Sequence, residues 1–131
     1  MSDFINAVGS TFVWHELYAP DASAARQFYV DALGWDTKDM DMGEMGNYPM
    51  LVTNGQAVAG VMSTASEQMK DVPTQWSIYI AVDDVDARLA KCLSLGGTCL
   101  VQPMDIPTVG RMALTRDPQG ATFWLFKPNP S

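Results

Sequence analysis

With 131 residues, 47% of them hydrophobic and 18% charged, the chain has the size and composition of one globular domain. A formal net charge of −7 and the lack of any Lys/Arg cluster argue against nucleic acid or an anionic membrane surface as partner. The start, Met1 to Asn6, has neither the basic residues nor the apolar run of a signal peptide, and no stretch approaches the ~20 apolar residues of a membrane span. The expected location is therefore cytoplasmic, where Cys92 and Cys99 read as reduced thiols rather than a disulfide.

The β-branched and aromatic run Thr11 to Tyr18 predicts a first strand, which Pro20-Asp21 ends. Asp21 or Ser23 can cap a helix from Ala22 to Leu33, with Ala25, Phe28, Tyr29 and Ala32 on one stripe and Gly34 as its left-handed stop. A strand around Trp35–Met40 follows, then the acidic, Met-rich segment Asp41 to Gly46. Strands at Tyr48–Thr53 and Ala57–Ser63 are joined by the turn signal Asn54-Gly55. The polar stretch Thr64 to Thr74 reads as a connector. A strand at Gln75–Val82 comes next, with Ile78, Ile80 and Val82 alternating along it. Asp83-Asp84 then caps a helix running to Leu95, closed by Gly96-Gly97. Strands at Thr98–Gln102, Arg111–Thr115 and Ala121–Phe126 complete the chain, with Asp117-Pro-Gln-Gly120 as the turn before the last.

The order of elements repeats, and the repeat has a register. A shift of 63 residues sets Trp14–Asp21 over Ser77–Asp84, aligning Leu17 with Ile80, Asp21 with Asp84 and Gly34 with Gly97. A shift of 64 sets Ala57–Met62 over Ala121–Phe126. The fold class expected is α+β: one domain over 1–131 built from two βαβββ modules, about 11–63 and 75–127, with a connector at about 64–74.

Asp21 to Tyr29 with Leu33-Gly-Trp35, Val82 to Ala87, Leu95-Gly-Gly97 and Asp117 to Gly120 together resemble the vicinal oxygen chelate superfamily. That superfamily includes glyoxalase I, bleomycin-resistance proteins and extradiol dioxygenases. Trp14-His-Glu-Leu17, Ala59-Gly-Val-Met62 and Pro107 to Arg111 are similar to its glyoxalase-like subgroup. The resemblance implies strands curled into a half-open barrel around a cavity, with the helices outside. Alternation then turns Trp14, Glu16 and Tyr18 inward and His15 and Leu17 toward the helix layer. Ser77, Tyr79 and Ala81 turn inward too, as do Thr122, Trp124 and Phe126. Tyr48, Gly60, Met62 and Arg111 complete the candidate ligand-lining set, alongside Trp14, Tyr18, Ser77, Tyr79, Trp124 and Phe126.

Metal-dependent members carry His, Gln or Glu at four inward positions, which here are Trp14, Gly60, Ser77 and Trp124. None is a good ligand for a divalent ion, so no metal and no other cofactor is expected. His15, the single histidine, points away from its neighbour Glu16 and reads as a hydrogen-bonded residue of the helix side. Glu16 is the candidate catalytic residue. In an aromatic cavity desolvation raises a carboxyl pKa, suiting it to proton transfer or to a cationic or hydroxyl-bearing ligand. The alternative is a structural carboxylate paired with Arg111 or with a tyrosine hydroxyl. The aromatics could stack a flat or amine-bearing ligand or simply fill the barrel. Met40, Met42, Met45 and Met50 form a flexible segment suited to a lid or to a subunit contact.

No phosphate-cradling loop or Gly-x-Ser-x-Gly elbow occurs, and neither cysteine has a basic neighbourhood beyond the adjoining Lys91. The leading expectation is a metal-free small-molecule-binding protein, as a homodimer. An enzyme of the same fold using Glu16 and tyrosines, and a structural module with a self-filled cavity, are the alternatives.

Overall fold

The computed structural model describes residues 12–129, apart from the side chain of Met45. The opening residues Met1 to Asn6, and Thr11 at the expected start of the first strand, lie outside that range. Backbone contacts divide the chain into two compact units. One is His15–Trp76; the other begins at Ser77 and takes in the start of the first strand up to Trp14.

The first module contains β1 (Phe12–Ala19), α1 (Ala22–Leu33), β2 (Asp36–Asp41), β3 (Asn47–Thr53) and β4 (Gln56–Ser63). The second contains β5 (Gln75–Ala81), α2 (Val85–Ser94), β6 (Thr98–Ile106), β7 (Gly110–Arg116) and β8 (Thr122–Pro128). The α+β class and both βαβββ modules therefore stand as expected. Strands run in the order β2-β3-β4-β1 in the first module and β5-β8-β7-β6 in the second. In each, the first and last strands pair in parallel and the remaining pairs are antiparallel.

Local chemistry explains the helix limits. The Asp21 carboxylate accepts from the Ala24 amide at 3.0 Å, and Gly34, at φ 73°, returns its N–H to the Val30 carbonyl. Asp84 does the same for α2 through the Ala87 amide, also at 3.0 Å. Gly96 and Gly97 close its end as expected, their N–H groups returning to the Leu93 and Cys92 carbonyls. Leu95 is the C-cap without a left-handed turn, and the positive φ falls on Gly96. Asn54 and Gly55, both at positive φ, form the tight turn between β3 and β4.

Each helix covers one face of its own module's strands. In the first module Leu17, Leu51 and Val61 pack with Ala22, Ala25, Tyr29 and Val30 of α1 and with Trp35. Trp76 donates its indole N–H to the Tyr29 hydroxyl at 3.1 Å, and Trp35 stacks on the same tyrosine, so both tryptophans serve packing. In the second module Val82, Val85, Leu89, Ala113 and Leu125 form the core, with Cys92 and Cys99 partly buried against it. Both cysteines are free thiols, and burial pushes the Cys99 pKa up, which blunts its reactivity.

Two expected loops are more structured than composition suggested. The connector contains a 3-10 turn at Glu67–Met69 and buries Met69 and Val72. β6 runs on to Ile106, past Gln102, absorbing two register shifts against β7. Met40 and Met50 lie in the strands expected for them, β2 and β3, and Met50 is buried. Among the described residues no helix is long and apolar enough to cross a membrane.

Candidate functional site

The face of the first sheet opposite α1 carries the polar cluster. On β1 Leu17 belongs to the helix side, so Glu16 and Tyr18 point the other way. Parallel pairing sets Gly60 of β4 beside Glu16 and Met62 beside Tyr18. On β3, Met50 pairs with Gly60 and Tyr48 shares its face two residues earlier.

Glu16 is 2% exposed and Tyr18 fully buried. The Tyr18 hydroxyl donates to Glu16 Oε1 at 2.6 Å, and the Tyr48 hydroxyl donates to Oε2. Tyr48 is only half-buried, so it is the solvent-facing member of the three. A buried carboxylate held by two phenols keeps hydrogen bonds on both oxygens, as burial of a charged group requires.

Gly60 makes this arrangement possible. A Cβ built on it would lie 1.6 Å from the Tyr48 hydroxyl oxygen and 2.1 Å from the ring carbon bearing it. The Tyr48 phenol thus fills the space that any other residue at position 60 would claim, and reaches Glu16 across it.

In the second module the corresponding face is aromatic. Val82 and Leu125 belong to the helix side, while Tyr79 and Trp124, paired in register, face away and stack with centroids 5.3 Å apart. Phe126 meets Tyr79 edge-on at 5.7 Å. Ser77 lies on this face of β5, two residues before Tyr79; it is 2% exposed and its hydroxyl has no hydrogen-bond partner among the described residues. Thr115 Oγ1 is likewise buried without a partner among the described residues, a position the sequence did not single out. Trp14 is buried and groups with this unit.

Arg111 is placed differently from its assignment to the ligand-lining set. Met112 and Leu114 of β7 pair with Phe126 and Trp124, so Arg111, one residue before Met112, projects toward α2. Its guanidinium forms two bonds to Asp86 of α2, at 2.8 and 2.9 Å, and a third to Asp105 at 3.1 Å. Of the two structural partners considered for Glu16, tyrosine hydroxyls are the ones present, from its own strand and from β3. His15 is exposed, with Nδ1 3.3 Å from the Val58 carbonyl oxygen, to which it donates when that nitrogen bears the proton.

The family positions for metal donors do not fit a divalent ion. An indole offers an N–H and no lone pair, Gly60 has no side chain, and Ser77 brings only a neutral hydroxyl. At position 60, moreover, the space for a donor holds the Tyr48 phenol. Among the described residues no group of three or more His, Cys, Asp or Glu side chains could hold a metal ion.

The family model for the Glyoxalase/Bleomycin resistance protein/Dioxygenase superfamily matches residues 11–125. The chain belongs to that superfamily. It is 39% identical over 126 residues to "Putative glyoxylase CFP32" of Mycobacterium tuberculosis, covering 96% of this chain and 47% of that protein. It is 30% identical to "Anthracycline biosynthesis protein DnrV" of Streptomyces peucetius, covering 87% of this chain and 46% of that protein. The superfamily chain thus spans about half the length of the curated relatives it matches. Among solved structures, methylmalonyl-CoA epimerase of Mycobacterium tuberculosis aligns with TM-score 0.55 and 20% identity, covering 95% of this chain and 91% of that one. A superfamily member from Vibrio splendidus aligns at 0.54 and 17%, covering 91% and 100%. At such identities these structures speak to the fold alone.

Proposed function

We propose that this superfamily member binds a small organic molecule without the divalent metal of its metal-dependent relatives, using the face that carries Glu16, Tyr18, Tyr48 and Met62. The observation that supports this reading most is the Tyr48 phenol lying in the side-chain space of position 60 and bonded to Glu16. Where metal-dependent relatives carry a donor, this reading has a phenol–carboxylate hydrogen bond instead. Tyr79, Trp124 and Phe126 of the second unit are buried against one another, so the reading rests on the first unit's face alone. Elemental analysis of protein purified natively, with mass spectrometry of the small molecules carried along, tests the reading. The expected result is a bound organic molecule and no stoichiometric metal; stoichiometric Zn, Ni, Mn or Fe sinks it.

A second reading is proton-transfer catalysis by Glu16, favoured by its burial between two phenols, a setting in which a carboxyl can hold or release a proton at a fixed atom. Glu16→Gln keeps the shape and removes the base. Loss of turnover with retained binding of the purified ligand supports catalysis, and unchanged turnover excludes Glu16 as the base.

A cytoplasmic homodimer belongs to the same proposal. A monomer by light scattering at micromolar concentration removes the dimer.

A further inference from the structure

Resting on the metal-free reading above, we propose that Tyr48 is a gate on Glu16, opened by a ligand that carries a protonated amine on a small apolar body. The two phenols on Glu16 are not equivalent. Tyr18 is fully buried two residues along the same strand, and its bond to Oε1 fixes the carboxylate plane. Tyr48 reaches Oε2 from β3, is half-buried, and approaches through a space that is open because position 60 has no side chain. Rotation of the Tyr48 side chain away from Oε2 therefore withdraws its bond from that oxygen and vacates the volume beside Gly60.

The chemistry of the displaced bond selects the ligand. A group that takes Oε2 from a phenol must be the stronger partner, and an ammonium meets that condition because it adds a full opposite charge to the hydrogen bond, whereas the phenol brings a neutral donor. A neutral hydroxyl merely exchanges one O–H donor for another. The formal charge of −7 also favours the approach of a cation over that of an anion. Met50 and Met62 flank Gly60 on the same face and offer adaptable thioether chains to an apolar body.

Benzylamine and benzyl alcohol, alike in shape and different in charge at neutral pH, are the probes. By calorimetry the whole chain should bind benzylamine at least about tenfold more tightly than benzyl alcohol. Tyr48→Phe, which no longer holds the gate shut, should tighten benzylamine further, by about tenfold, because the closed state no longer competes. Glu16→Gln should abolish the preference for the amine. In unmutated protein labelled with 13C-tyrosine, the Tyr48 ring-carbon signal should move on saturation with benzylamine while that of Tyr18 stays. No benzylamine binding, equal binding of the two probes, a Tyr48 signal that does not move, or a Tyr48→Phe variant that binds the amine no better each overturn the gate. Those outcomes leave the metal analysis untouched, whereas stoichiometric metal would defeat the underlying reading even if the amine preference held.

Discussion

The two modules make the same backbone pairing and put opposite chemistry on it. In the first, Glu16 of β1 pairs with Gly60 of β4; in the second, Tyr79 of β5 pairs with Trp124 of β8, at equivalent places in the repeat. One pair is a carboxylate beside an empty position, filled from β3 by Tyr48. The other is two rings stacked on each other, with Met112 rather than a tyrosine at the equivalent place on β7. The rungs that follow differ in the same sense: Tyr18 with Met62 in one, Ala81 with Phe126 in the other. A duplicated scaffold thus separates its tasks, one copy holding a polar centre and the other an apolar wall. The helices diverge in parallel. α2 buries Val85 and Leu89, whereas α1 buries no residue completely and leaves Phe28 62% exposed.

If the aromatic wall is chiefly a packing element, its truncation should have the largest effect. Trp124→Ala should cost about 3–5 kcal/mol in urea unfolding, since a large buried ring leaves a cavity. A loss below about 1 kcal/mol would mean that the stack is not core. In the polar copy, Tyr18→Phe removes a donor from a buried carboxylate and should cost about 1–3 kcal/mol, with Gly60→Ala in the same range because the Tyr48 phenol must leave. Equal tolerance of Ala at 60 and of the native glycine would contradict the close approach of Tyr48.

Removing the helix caps distinguishes the modules more finely. Asp84→Ala should lower global stability by about 1 kcal/mol, because α2 is anchored in its core. Asp21→Ala should instead raise hydrogen exchange within α1 before it shifts the unfolding midpoint, since that helix is held by partly buried side chains alone.

The smallest effect expected is electrostatic and belongs to the second module. Hydrogen bonding to Arg111 holds the Asp86 carboxyl below its ordinary pKa, as Arg88 does for Asp83. A depressed native pKa adds stability above the unfolded value of about 3.9 and loses it as pH falls through the native value. Arg111→Met should therefore flatten the decline of stability below about pH 4 while barely changing stability at neutral pH. An unchanged acid limb would show the pair to be fully screened.

Much of this was legible in the chain because it is local. Asp21, Asp84, Gly34 and Asn54-Gly55 each act within four residues, and α1 has the limits those signals imply. Strand alternation set Glu16 and Tyr18 apart from Leu17, and Tyr79 and Trp124 apart from Ile80 and Leu125. What escaped depends on pairing across the sheet. Arg111 was placed by its motif on the wrong side of β7, because its facing follows from the register of Met112 on Phe126, which no local pattern states. The Tyr48–Glu16 bond joins residues 32 apart through a glycine on a third strand, so nothing short of the folded register reveals it. The Met-rich interval between β2 and β3 was legible as a connection, and the structure adds to it a 3-10 turn at Gly43–Met45.

The Tyr48 ring over Gly60 also constrains the order in which this site can change. Any side chain acquired at position 60, a metal-donating one included, collides with the phenol as long as position 48 keeps its tyrosine. Position 48 must shrink or turn away first, and Glu16 then loses a donor before anything is gained at 60. Exchange between the two chemistries is thus uphill in its opening step, because the bond to Glu16 is lost before position 60 can be filled.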